Sequence, residues 1–330
     1  MRSALTGVLV LALVALPLWA ADQVADKPAA PAGSSKLPPG HPPTDAPPAM
    51  ATTLPASPEV IATVGETKIM GKEVDEILRR DLSRIPAARL EEARKLVLSR
   101  LIMRELVGEY LKAQKIEVTE AELKEANDAI KKVADEHQMT VEQLKKAQNL
   151  TDAMIVSQVK TQKLLKAETA TEKAAQFVKA HPAYFNGTTV KASHILVKVD
   201  PASSTVEQKE AIKKIEQIAS DIEAKKVTFE EAAKQHSACP SSQQGGDLGE
   251  FSFAKMVPPF AMAAFDMKVD QVSGVVRTQF GLHLIKVTAR TEGKEADPQA
   301  EDIAKKAMMS LVLNKIIEQS LTTAPVTITK

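Results

Sequence analysis

The 330 residues contain one cysteine, Cys239. A lone thiol closes no internal disulfide, so a bridged scaffold is excluded and packing alone must hold the chain. Aromatic residues are scarce, at 3%, with one Trp and two Tyr. Burial must then rest on Leu, Ile, Val, Ala and Met, which suits helices better than β-sandwiches. An excess of charge of one sign is also missing: 43 Lys and Arg balance 42 Asp and Glu, for a net charge of +1. No long-range field draws the chain to nucleic acid or to anionic lipid. The length allows about two domains of ordinary size.

The N-terminus carries Arg2, then an apolar run from Ala4 to Ala21 with Pro17 near its end and Ala20-Ala21 before Asp22. This is the pattern of a secretory signal peptide over 1–21. The run is near the lower limit for a spanning helix, roughly 17–25 residues, and a proline interrupts it. Cleavage and a periplasmic or other extracytoplasmic location are expected, with no stable membrane insertion afterwards. No Cys follows the run, which argues against a lipid anchor. Residues 22–58 are rich in Pro, Ala and Ser and read as a disordered linker.

Beyond the linker, Val60, Ala62 and Val64 alternate and Gly65-Glu66 turns the chain. A short strand or hairpin leading into a helix is expected. An amphipathic helix runs from Pro86 to about Gln114, with Leu98, Ile102, Leu106 and Tyr110 at i+4 spacing. Thr119-x-x-Glu122, Thr140-x-x-Gln143 and Thr151-Asp152 open three more. Met103, Met139 and Met154 on these helices read first as core filling, and otherwise as an adaptable surface for unfolded chains.

The period changes at Thr188. "TTVKASHILVKV" reads as a strand, Thr205-x-x-Gln208 and Thr228-x-x-Glu231 cap helices, and "SACPSSQQGGDLGEF" reads as a Gly-rich loop. A short helix at Pro258–Phe265 and the strands "SGVVRT" and "FGLHLIKVTAR" follow. The fold class is α+β, with a β-α-α-α-β-β domain at 188–290 inserted in a helical unit formed by 59–187 and 291–330. A last helix occupies about Asp297–Ser320, and "APVTITK" is a terminal strand whose expected partner is the strand at Val60–Val64.

Chemistry concentrates in the inserted domain. His194 lies within the first strand, Cys239 at the end of its second helix, and Thr278 and His283 in the closing hairpin. Leu248, Met256, Phe260 and Phe265 supply apolar surface, and the GGDLG turn offers positions for positive φ. Lone strand histidines are usually satisfied core residues. A zinc site of His194, His283 and Cys239 matches no compact ligand spacing. A thiol hydrolase would need an oxyanion motif and an Asn or Asp orienter, and neither is evident.

Four ordered motifs, "ASHILV", "S-x-C-x-S-S…GGDLG-x-F", "M-V-x-x-F-x-x-A-F" and "T-x-F-G-x-H-L-I", span this stretch. In order and spacing they resemble the parvulin family of peptidyl-prolyl isomerases. The resemblance implies that His194 and His283 are paired central histidines, that Thr278 is bonded to one of them, and that Cys239 completes the catalytic set. It implies that Leu248, Met256, Phe260 and Phe280 bind the substrate proline, and that no cofactor or metal is needed. Members that demand phosphate before proline carry Arg in the loop after the first strand. That loop here is "KVDPASSTVEQKEA", with Lys198 and no Arg, so phosphate-independent action is expected.

The segment "VIATVGETKIMGKEVDEIL" and the helices after it resemble the chaperone domain of SurA-type and PrsA-type exported foldases, without the usual Asn before Gly65. That implies unfolded exported polypeptides with X-Pro bonds as partners, with neither nucleic acid nor membrane among them. The alternative is a non-catalytic holdase in which the isomerase fold only binds peptide.

Overall fold

The structure is a computed structural model describing residues 51–148 and 150–329, so the N-terminal apolar run and the Pro-rich stretch to residue 50 lie outside the described residues. Among the described residues no helix is long and apolar enough to cross a membrane.

Strands β1 (Val60–Val64) and β2 (Thr67–Met70) form a hairpin. Helices α1 (Gly71–Asp81), α2 (Leu90–Ala113), α3 (Glu120–Glu136), α4 (Val141–Gln148), α5 (Asp152–Glu168) and α6 (Thr171–Ala180) follow. On these helices each expected cap is present where the sequence put it. Thr119 and Glu122 exchange bonds as a capping box, Thr140 and Gln143 do the same, and Thr151 accepts from the Met154 N–H. The apolar face of α2 closes over β1 and α1, burying Ile102 and Leu106 with Val64, Ile69 and Val74. Met103 and Met139 pack against core clusters, the core-filling role of methionine.

The linker reading needs correction at its end. Residues 51–58 have no regular secondary structure but are held against the helical unit. The Ala51 N–H donates to Ile85 O, Ser57 Oγ donates to Asp75 at 2.6 Å, and Arg94 donates to Pro55 O. A buried carboxylate and a half-buried guanidinium fix this polar stretch, a constraint that composition does not reveal.

The second unit comprises β3 (Thr189–Lys198), α7 (Thr205–Glu223), α8 (Phe229–His236), β4 (Asp247–Ser252), α9 (Pro258–Asp266), β5 (Val276–Thr278) and β6 (Gly281–Thr291). Its four-stranded antiparallel sheet has the order β4-β3-β6-β5. Three details differ from the sequence reading. The tail of the Gly-rich loop is a strand, β4, because Gly245 and Gly246 adopt φ of +67° and +85° and turn the chain back beside β3. The order is therefore β-α-α-β-α-β-β. The cap of α7 is Ser204, paired with Glu207, one residue before Thr205; the Thr205 hydroxyl instead accepts from the Val326 N–H at 2.8 Å. The strand expected over "SGVVRT" is regular only at β5, with Val272 making an isolated bridge to Lys286.

Helix α10 (Ala300–Thr323) and strand β7 (Val326–Ile328) end the chain. β7 pairs antiparallel with β1, Val64 opposite Val326. The two units share apolar surface: Ala174 of α6 and Ala304 and Ala307 of α10 are buried in one cluster with Phe260, Ala261 and Ala264 of α9.

Candidate functional site

The register of the central strand pair creates the site. His194 stands opposite Ile285 and Leu196 opposite His283. Side chains alternate faces along a strand, so the two histidines are diagonal neighbours on one face. Ile195, Val197, Leu282 and Leu284 point the other way, into the core under α7 and α8. The histidine face is covered by α9. Phe260 lies edge-on to both imidazoles, its centroid 5.6 Å from that of His194 and 5.4 Å from that of His283.

The histidine Nδ1 atoms are 3.2 Å apart, and Thr278 Oγ1 is 2.8 Å from His283 Nε2. Thr278 Oγ1 also accepts from the Phe280 N–H at 3.1 Å. Having accepted from the Phe280 N–H, the Thr278 hydroxyl still has one proton to give, and His283 Nε2 is the acceptor within reach. His283 then carries its proton on Nδ1 and donates to His194 Nδ1. His194 holds its own proton on Nε2, a buried atom without a hydrogen-bond partner among the described residues. The opposite polarity leaves two groups unpaired, His194 Nε2 and the threonine hydroxyl proton, so the first arrangement satisfies more of the network. Burial pushes His194 down to about 4, and burial together with the neighbouring His194 pushes His283 down to about 3. Both rings are neutral near pH 7.

Backbone approach fixes His194. Its N–H donates to Gly246 O at 2.9 Å, and a Cβ built on Gly246 would stand 2.3 Å from His194 O. Only glycine fits there, a requirement that a reading of the GGDLG turn in terms of φ alone misses. Leu248 and Met256 are partly buried against the cluster that holds Phe260. Phe280 is half-buried and attached to the network through its backbone.

Cys239 is half-exposed and its Sγ accepts from Ser241 Oγ at 3.3 Å. Among the described residues it has no hydrogen bond to either histidine, so the structure joins His194, Thr278 and His283 directly and leaves Cys239 at the margin. Sequence reasoning gave Ser237 no role. Its hydroxyl accepts from the Leu196 N–H at 3.0 Å and the Cys239 N–H at 3.3 Å, tying the cysteine segment to β3. The S-x-C spacing was the available signal. Among the described residues no group of three or more His, Cys, Asp or Glu is placed to hold a metal.

In this network of two neutral rings and a hydroxyl, roofed by an aromatic side chain, the one hydroxyl beside an imidazole, Thr278, is 1% exposed and so is not presented to a substrate as a nucleophile. The network offers a dry, shaped surface with hydrogen bonds of fixed direction. The profile of the PPIC-type PPIase (rotamase) domain matches residues 194–289. The chain is 39% identical over 113 residues to peptidyl-prolyl cis-trans isomerase Pin1 of Arabidopsis thaliana, across 30% of this chain and 95% of that protein. It is 38% identical over 143 residues to foldase protein PrsA 1 of Bacillus cereus, across 42% of this chain and 46% of the foldase. Over 205 residues it is 31% identical to foldase protein PrsA of a Geobacillus strain, across 61% of this chain and 67% of that foldase. The match thus takes in less than half the length of one foldase and about two thirds of the other. The chain belongs to the parvulin-type, or PPIC-type, family of peptidyl-prolyl cis-trans isomerases.

Proposed function

We propose that the protein is an exported foldase that isomerises X-Pro bonds in unfolded polypeptides while its helical unit holds them. The observation that carries the catalytic part is the buried His194–His283–Thr278 network under Phe260. The amide resists rotation by about 18–20 kcal/mol because its C–N bond has partial double-bond character. Water stabilises the planar, more polar amide. A pocket that grips the proline ring among Phe260, Leu248 and Met256 and excludes water removes that advantage. Hydrogen bonds that favour the twisted amide then act where they are strongest. No bond is broken and no proton need leave the network. Both rings stay neutral, which suits a role in holding pocket shape.

The foldase similarity and the helical unit of 59–187 and 291–330 support the chaperone part; the apolar run at 4–21 supports export. The loop after β3 supports phosphate independence: it carries no Arg, and the Asp200 carboxylate accepts from Ser99 Oγ of the helical unit. Exchange NMR on X-Pro peptides tests the reading. Wild type should accelerate isomerisation, Phe260→Ala should lose most of that acceleration, and a phosphoserine before proline should give no gain. Absence of catalysis by wild type, with aggregation of a client still suppressed, would leave only the holdase.

A further inference from the structure

Helix α10 lies outside the residues matched by the isomerase profile, 194–289, yet it touches the site from two directions. Its first half buries Ala304 and Ala307 in the cluster that contains Ala261 and Ala264 of α9. Those alanines are neighbours of Phe260, the residue that roofs both histidines. Small side chains on both helices permit close approach, so the position of α9 follows that of α10. Further along, Asn314 Nδ2 donates to Arg277 O at 3.5 Å, and Arg277 immediately precedes Thr278, whose hydroxyl holds His283. The second half of α10 is embedded in the helical unit: Ile316 packs with Val107 and Leu111, and Ser320 Oγ donates to Leu106 O at 2.8 Å. One helix of 24 residues, about 36 Å long at 1.5 Å per residue, is thus seated in both cores.

We propose that α10 sets the geometry of the isomerase site from outside the isomerase domain, with Ala307 and Asn314 as positioning residues. Ala307 fixes the height of Phe260 over the histidines through α9. Asn314 fixes the β5 strand that carries Thr278. The consequence is that the helical unit and the proline site form one mechanical body. A segment seated against α2 and the second half of α10 would bear on catalysis through this helix. The relative from Arabidopsis aligns over 113 residues and 95% of its length, an extent too short to hold both the isomerase domain and a helical unit like this one.

The inference rests on the isomerase reading, and full-length Ala307→Leu and Asn314→Ala test it. Two quantities are read: kcat and KM by exchange NMR on an X-Pro peptide, and the imidazole resonances of His194 and His283 in the resting protein. A misplacement of about 1 Å can lower a rate on the order of a hundredfold. A partial shift should lower kcat about tenfold, leave KM within about twofold, and move the imidazole resonances, in Ala307→Leu through the changed ring current of Phe260 and in Asn314→Ala through the altered Thr278 hydrogen bond to His283. Thr322→Ala, on the exposed end of the same helix, should change neither. Should Ala307→Leu fail to fold, Asn314→Ala decides alone. Unmoved histidine resonances in a folded variant overturn the proposal, whether or not kcat falls, because α10 would then not act through the site. Wild type without catalysis would instead overturn the isomerase reading, and the resonances, which need no turnover, would still judge the coupling.

Discussion

The Nδ1 atoms of His194 and His283 stand 3.2 Å apart across the two central strands of the sheet. Two neutral imidazoles so placed share one proton between facing nitrogens, and Thr278 at the far side of His283 decides which ring gives it. The histidines are therefore a single hydrogen-bonded unit with a direction, running from the Phe280 N–H through Thr278 and His283 to His194.

Thr278→Ala removes the group that sets this direction and leaves His283 Nε2 buried without a partner. Loss of one member of a buried pair costs about 1–3 kcal/mol. Urea unfolding should show that loss, and isomerisation should slow because His283 is free to change tautomer. Thr278→Ser keeps the hydroxyl and should recover most of both quantities. A serine variant as impaired as the alanine would show that the methyl group, and not the hydrogen bond, matters at this position.

The same burial dictates a pH dependence. Both histidines have folded values below the ordinary 6.5, about 4 for His194 and about 3 for His283. The unfolded chain therefore binds protons that the folded chain refuses, and stability rises with pH across that window. It should be constant above about pH 7.5, begin to fall as the pH drops through about 6.5, and go on falling to the folded values, each proton contributing about 1.4 kcal/mol per pH unit at most. Urea midpoints between pH 8 and pH 5 check this, and His194→Asn should reduce the slope. The isomerisation rate of the folded protein should stay flat from pH 8 to pH 5.5, since neither ring titrates there. A rate that follows an ordinary histidine titration would contradict the neutral network.

Periodicity and caps exposed the helices well. Thr119, Thr140 and Thr228 cap where their spacing with Glu or Gln predicts, and Thr151 caps just before Asp152, because an N-cap is a local device whose whole chemistry lies in four residues. The cap of α7 stands one residue before the expected Thr205, because Ser204 forms the box with Glu207 while the Thr205 hydroxyl is claimed by Val326, 121 positions away. The motifs gave His194, Thr278 and His283 as a group. They could not give Phe260 edge-on to both rings, nor the margin position of Cys239, since these depend on how α9 and the loop at Ser237 dock onto the sheet. β4 read as loop because its residues, DLGEFS, follow two glycines and carry one buried side chain, Phe251. Pairing with β3, and not local propensity, makes it a strand.

Two glycines of one turn should respond differently to alanine. Gly246 has φ of +85° and a built Cβ would lie 2.3 Å from His194 O, whereas Gly249 has φ of +70° and open space around it. Gly249→Ala carries only the left-handed backbone penalty, about 1–2 kcal/mol. Gly246→Ala adds a backbone clash that moves β4 away from β3, so its loss of stability should be about 2–4 kcal/mol. Because the displaced atom belongs to His194, the Gly246 variant should also lose activity while the Gly249 variant keeps it. Equal effects on stability and activity would mean that the turn relaxes freely away from the sheet.

The last strand tests how the helical unit is closed. β7 adds the third strand beside β1, with Ala324 and Val326 buried at 3% and 2% exposure in the cluster that holds Val64, Ile102 and Leu106. Removing the chain from Ala324 onward strips these side chains from the core and leaves the free edge of β1 open to water. It also frees the Thr205 hydroxyl at the start of α7 and the Gly65 N–H, which donates to Pro325 O at 2.9 Å. Burial of one valine is worth about 1.5–3 kcal/mol, and each lost hydrogen bond about 1 kcal/mol. The truncated protein should lose at least about 3 kcal/mol in urea unfolding. The loss should fall mainly on the helical unit, where amide exchange in β1 and α2 should speed up, while β3 and β6 should keep their protection because their partners are intact. Unchanged exchange in β1 would show that the hairpin with β2 suffices and that the returning C-terminus only covers it.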